Sequence, residues 1–202
     1  MDILKNTAGN ILSYNGTPLG TTWSAGGGGS YDTSTWIPAM TSRTAPSPFI
    51  VSAESNYDST TDGIGGSPPD RYAGWHAFDG NLTPVGIGTT WYSWNDNRQH
   101  WLKVDLGAGN EICIWKYKIV GQNDARAIKS WIIQGSNDDS TYDDLDTVSN
   151  VATWTDSEVR EYEIVSPSTT PYRYFRLYWV ANQGQAAGAA TLVEWNIYKY
   201  TP

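Results

Sequence analysis

The sequence predicts an all-β protein, an antiparallel sandwich, and three observations carry that prediction. Short runs of alternating apolar and polar residues recur along most of the chain, and they are rich in β-branched and aromatic types. Turn-forming clusters separate them, as at Gly107-Ala108-Gly109-Asn110 and Ser166-Pro167-Ser168. The aromatic content is skewed to 11 Trp and 13 Tyr against 3 Phe, and only Trp75-His76-Ala77-Phe78 hints at a helical turn.

Each strand can be placed. Candidates are Phe49 to Ala53, Trp101 to Leu106, Ile112 to Val120, Ser130 to Gly135, Glu161 to Ile164, Tyr172 to Val180 and Leu192 to Tyr200. Seven or more short strands with long connections read as a sandwich, here residues 39–202. Two segments precede it. Residues 1–23 read as a small hairpin, with strand-like runs Asp2 to Lys5 and Asn10 to Tyr14 and a tight turn at Asn15-Gly16. A hairpin of that size needs another surface to lean on. Residues 24–38, with Gly26-Gly27-Gly28-Gly29-Ser30, read as a flexible linker. They lack the Lys-Ser/Thr and helix of a phosphate loop.

Charge narrows the partners. The formal net charge is −8, and no basic stripe exists to neutralise phosphates, so neither nucleic acid nor an anionic membrane is expected. No run approaches the roughly 18 apolar residues of a membrane span. The lone Cys113 has no disulfide partner in the chain and is expected to pack as a small apolar residue. The start of the chain lacks a basic-then-apolar secretory pattern, so synthesis in a cytoplasm without general export is expected.

Catalysis finds no support. There is no Gly-x-Ser-x-Gly, neither histidine lies near a nucleophile in sequence, and no carboxylate pair marks a cleft. His76 and His100 are both expected at the surface, and Trp91 and Trp101 in the core. The acidic run Asp138 to Asp146 reads as a hairpin, since it lacks the Gly and final Glu of a calcium loop.

Four ordered blocks resemble the discoidin family, which includes the coagulation factor type C domains and the galactose-binding-like carbohydrate modules. Ala77-Phe78-Asp79-Gly80-Asn81, Thr89-Thr90-Trp91 and Trp101 to Gly107 resemble its opening signature. Lys129 to Asp138 resembles its "K-S-F-x-I-x-x-S-x-D" strand and turn, Tyr172 to Leu177 its "R-Y-[IVF]-R-L" strand, and Leu192 to Tyr198 its closing strand. The resemblance implies an antiparallel jelly-roll sandwich of eight strands with a ligand site in the loops at one end.

By that resemblance the ligand loops hold Trp94, Asn95, Arg98, Asn123, Arg126, Asn182 and Gln183. A flat aromatic ring suits the apolar face of a pyranose, and planar amides and guanidinium groups suit pairs of hydroxyls. The resemblance also implies a structural Ca²⁺ held at Asp79, Asn81, Thr89 and Glu194. Ca²⁺ takes six to eight oxygens, so an Asp on a turn whose carbonyls point inward suits it; the alternative for Asp79 is to cap its own turn. The insertion Leu82 to Gly88 lengthens the loop before Thr89.

The stretch Pro38 to Ser52 and the segment Asn10 to Gly16 resemble parts of bacteriophage structural and fibre proteins. The expected setting is therefore a virion. The sandwich would contact host-surface polysaccharide, and the N-terminal segment would contact other virion proteins, with homo-oligomerisation open. A purely structural virion block and a bacterial carbohydrate-binding module remain the alternatives.

Overall fold

In the computed structural model the described residues are 29–56, 72–83, 89–93, 100–185 and 188–202, with the backbone of three strands nearer the N-terminus. Those three, β1 (Ile3–Lys5), β2 (Ile11–Tyr14) and β3 (Thr17–Pro18), form an antiparallel sheet in that order. The expected N-terminal hairpin is thus joined by a third short strand.

The remaining strands are β4 (Ser30–Tyr31), β5 (Ile50–Ala53), β6 (Trp91–Tyr92), β7 (Trp101–Asp105), β8 (Cys113–Gly121), β9 (Ile128–Ser136) and β10 (Asp143–Val148). After them come β11 (Glu158–Glu163), β12 (Tyr174–Asn182), β13 (Thr191–Leu192) and β14 (Glu194–Thr201). One sheet has the order β10-β9-β12-β7-β5 and the other β11-β8-β14-β4, with the pair β13-β6 beside them. A 3₁₀ turn spans Gly74–Phe78, where the sequence hinted at one.

Alternation produces the two layers. On β12, Phe175, Leu177 and Trp179 face the core while Tyr174, Arg176 and Tyr178 face outward half-buried. The core between the sheets holds Trp91, Trp131, Trp154, Trp195, Tyr117 and Phe175, all essentially sealed from water. Truncating such an aromatic to Ala typically costs about 3–5 kcal/mol. Tyr117 is tied at its hydroxyl, which donates to Asp146 Oδ2 at 2.6 Å and accepts from Trp131 Nε1 at 3.1 Å. Burial, then the bond to Asp146, drive its pKa far upward. Trp154 lies so close over Gly121 that any Cβ there would sit 2.2 Å from the indole, so only glycine fits.

Four expectations need correction. Residues 29–38, expected within the linker, are packed: β4 pairs with the end of β14, Trp36 N–H donates to Ile197 O at 2.9 Å, and Ile37 is buried. Tyr31 stacks on Tyr200, which is why the edge of β14 can hold this strap. Residues 24–28 lie outside the described residues. His100 does not face outward but is fully buried, and His76 is buried as well. Trp101 is half-buried on the outer sheet face, with Lys103 Nζ 5.2 Å from its ring centre. Cys113 is buried, as expected.

Candidate functional site

Loops converge at one end of the sandwich. The 122–127 loop after β8 and the 183–190 loop after β12 are laced together by backbone bonds: Gln183 N–H to Ala127 O (3.0 Å), Gln185 N–H to Ala125 O (3.1 Å) and Thr191 N–H to Arg126 O (2.9 Å). Ser93 adds a clamp, since its Oγ accepts from Ala190 N–H at 2.8 Å. Asn123, Arg126, Asn182 and Gln183 are therefore brought together. Trp94, Asn95 and Arg98 lie outside the described residues.

These four residues have different tasks. Asn182 Nδ2 donates to Ala189 O (2.8 Å) and Gln185 O (3.2 Å), and its Oδ1 accepts from Gly184 N–H (3.1 Å). Gln183 Nε2 donates to Val151 O and Ala152 O, both at 3.3 Å. Both amides build the loop. Asn123 is exposed, its N–H fixed on Asp156 Oδ1 at 2.8 Å.

Arg126 is aimed. Its Nε donates to Asp124 Oδ1 at 2.7 Å, its Nη2 to Asp124 Oδ2, and its Nη1 to the Tyr92 hydroxyl at 3.1 Å. The guanidinium lies 4.8 Å over the Tyr92 ring, and Tyr72 meets Tyr92 edge-on. The bond to Asp124 raises the Arg126 pKa, and burial of Asp124 is outweighed by Arg126, which holds that carboxyl low. Asp124, Tyr92 and Tyr72 thus orient the guanidinium. Of these, sequence reasoning missed the tyrosines, which are twenty residues apart, Tyr72 on a turn and Tyr92 on β6; only the Asp124-Ala125-Arg126 spacing was visible.

Beneath the same end, His100 Nε2 lies 3.0 Å from Gly188 O, and its Nδ1 lies 2.9 Å from Glu54 Oε2 and 3.0 Å from Ser55 Oγ. A carbonyl only accepts, so Nε2 carries a proton, and His100 ties β5's end to the 183–190 loop. Nothing in the sequence marked this role.

The expected cation residues lie on the turn after Phe78 and on β14. Asp79 Oδ1 accepts from Asn81 N–H (2.7 Å), so Asp79 does cap its turn, while its Oδ2 lies 3.1 Å from His76 Nδ1. Asn81 Oδ1 accepts from Thr83 N–H (3.0 Å), and Thr89 is half-buried two residues before Trp91. Glu194 is 2% exposed; its Oε1 accepts from Asn196 Nδ2 at 2.9 Å and its Oε2 is buried with no partner at hydrogen-bonding geometry. Burial, then the charge of Asp79, push the Glu194 carboxyl up to about 8; the Asn196 bond, the Gly80 N–H and Lys118 offset only part of this. An orphaned carboxylate oxygen beside a second carboxylate fits a hard cation. Among the described residues no group of three or more His, Cys, Asp or Glu forms a metal cluster, so backbone oxygens would have to complete the shell.

Comparison with known proteins agrees with this architecture. No curated protein sequence matches the chain. An F5/8 type C domain of Bacteroides fragilis is 16% identical, with a TM-score of 0.57 over 83% of this chain and 99% of that one. A family 32 carbohydrate-binding module of Clostridium perfringens NanJ, solved with galactose, is 20% identical, with a TM-score of 0.53 over 82% and 98%. A chitosan-binding module from a Paenibacillus chitosanase/glucanase is 18% identical, with a TM-score of 0.54 over 82% and 98%. F5/8 type C domains are non-catalytic binding modules, and the family model spans residues 52–194. On that match the chain belongs to the F5/8 type C domain family.

Proposed function

We propose that the loop end centred on Arg126 binds a neutral glycan without catalysis. The carrying observation is the guanidinium held on Asp124 and stacked on Tyr92, a rigid donor fork beside a flat ring. A guanidinium held in this way suits adjacent hydroxyls of a sugar. The galactose-bound and chitosan-binding structures of similar fold support the same reading. A glycan array with wild-type protein and Arg126→Gln tests it. The expected result is selective binding, weakened tenfold or more in the variant at an unchanged melting temperature. Equal binding by both proteins would overturn it.

A structural Ca²⁺ is proposed at Asp79 and Glu194, which supply the carboxylates. Bound there, the ion would neutralise two carboxylates and tie the 79–83 turn to β14. The Asn81 side chain is spent on Thr83, so Asn81 would contribute through its backbone carbonyl.

The proposed setting is a bacteriophage particle, with the N-terminal sheet contacting other virion proteins. The resemblance of residues 38–52 and 10–16 to phage structural proteins supports it. Electron microscopy of virions labelled against this chain is the test, and absence from purified particles would count against it. A building block making only protein contacts would give a blank glycan array.

A further inference from the structure

The outer face of the β10-β9-β12-β7-β5 sheet carries an arginine unlike its neighbours. Arg126, Arg160 and Arg173 each hold a carboxylate, at 2.7, 2.6 and 2.7 Å. Arg176 holds none. Its Nε donates to Gln134 Oε1 at 2.9 Å, and its Nη1 and Nη2 have no partner among the described residues. The guanidinium is nevertheless fixed, lying 3.6 Å over the Tyr142 ring and 5.3 Å from Tyr178. Gln134 is held in turn, since its Nε2 donates to Asp144 Oδ1 at 2.7 Å.

The surroundings extend this into a platform. Arg176 pairs across the ladder with Lys103, and Tyr178 with Trp101. Lys103 Nζ lies 5.2 Å from the Trp101 ring and 5.7 Å from the Tyr174 ring. The nearby acids are committed elsewhere: Asp139 binds Lys103 at 2.6 Å and Tyr142, and Asp144 binds Gln134. Burial pulls the Arg176 pKa down from its ordinary value, and the charges of Tyr142, Tyr178, Asp139 and Asp144 offset only part of this. A guanidinium does not give up its proton in proteins, so the deficit stays available to an anion.

We propose that this face is a second binding site, for a carboxylate-bearing sugar, with the Nη edge of Arg176 taking the carboxylate end-on. Nε is occupied, which leaves the Nη1/Nη2 edge as the bidentate one. Preorganisation by Tyr142 and Gln134 removes the ordering cost that a free surface arginine meets. The sugar ring packs beside Trp101, Tyr174 and Tyr178. A sugar suits the face better than a peptide. β12 is hydrogen-bonded on both sides, to β7 and β9, so no backbone groups are open to an added strand. The site is separate from the loop end and does not rest on the reading given to Arg126.

The test is titration calorimetry of the full chain with oligogalacturonate, with an uncharged galacto-oligosaccharide of equal length, and with a hexaglutamate peptide. Oligogalacturonate is expected to bind, to lose affinity tenfold or more in Arg176→Gln, and to be unaffected by Arg126→Gln. Arg176→Lys keeps the charge without the fork and is expected to lose severalfold. It also serves should Arg176→Gln fail to fold. Amide shifts on adding oligogalacturonate are expected on β7, β9 and β12. The proposal is overturned by no oligogalacturonate binding, by equal binding in the Arg176 variants, by equal affinity for hexaglutamate, or by shifts confined to the 122–127 and 183–190 loops. Failure of the neutral glycan alone would sink the loop-end reading and leave this one standing.

Discussion

Asp105 and Glu194 are both buried carboxylates on strands, one in each sheet, and they have opposite character. Asp105 ends β7, and its Oδ1 and Oδ2 accept from Arg173 Nε and Nη2 at 2.7 and 2.8 Å. It also accepts from the N–H of Gly107 at 2.8 Å. Burial pushes the Asp105 carboxyl up, but the Arg173 and Gly107 bonds and the charges of Arg173 and Lys103 outweigh it and hold it low. Glu194 has burial, a like charge at Asp79 and one oxygen without a partner. The fold satisfies both oxygens of Asp105 from within and leaves one oxygen of Glu194 buried without a hydrogen bond. Burial alone therefore does not say whether a carboxylate is held ionised or protonated.

The largest expected effect is a calcium-dependent melting temperature. An ion that binds only the folded state stabilises by about 2.7 kcal/mol at about 100 times its dissociation constant. For a domain of this size that is roughly 5–10 °C. Scanning calorimetry in millimolar CaCl₂ against a chelator should show that gain, and Glu194→Gln should abolish it. Identical melts for the wild type would remove the cation from Glu194.

The pH dependence of the chelated protein comes next, and the two carboxylates give opposite signs. The folded pKa of Glu194, about 8, lies above its ordinary value of 4.5. Its contribution is fully present below 4.5 and is lost as pH rises through about 8. The slope cannot exceed about 1.4 kcal/mol per pH unit for one proton. Asp105 is lowered below 3.8, so its contribution is present above that value and is lost on acidification. Chelated wild type should thus be most stable between these limbs. Denaturant midpoints across pH 4–9 that stay flat on the alkaline side would contradict the Glu194 half. Asp105→Asn should lower the melting temperature by a few degrees and flatten only the acid limb.

The sandwich was legible in the sequence because strand alternation is local. β7, β9 and β12 fall within two residues of their sequence-based bounds. Glu194 and Asp79 were legible only through resemblance, as nothing local says that the two meet. Arg176 was invisible as a site for another reason. Holding no carboxylate is a property of its surroundings on β9, β10 and β7, and Arg173, three residues earlier and just before the same strand, is paired. His100 was misplaced because it stands just before β7, where alternation gives no side, and its partners Glu54, Ser55 and Gly188 are distant in sequence.

The smallest expected effect separates the two causes acting on Glu194. Asp79→Asn removes the like charge but keeps an oxygen that can cap the turn at Asn81. A like charge disfavours ionisation, so its loss must let the Glu194 pKa fall. Burial is the larger cause and remains. The alkaline limb of the chelated variant should therefore level off at lower pH than in the wild type, displaced by a fraction of a unit. Calcium stabilisation should weaken in the same variant, since one of the two carboxylates is gone. A displaced limb with undiminished calcium stabilisation would leave Asp79 as a neighbour of Glu194 and not a ligand. An undisplaced limb would mean that burial alone holds the Glu194 proton, and the contrast with Asp105 would then reduce to the Arg173 guanidinium and the Gly107 N–H.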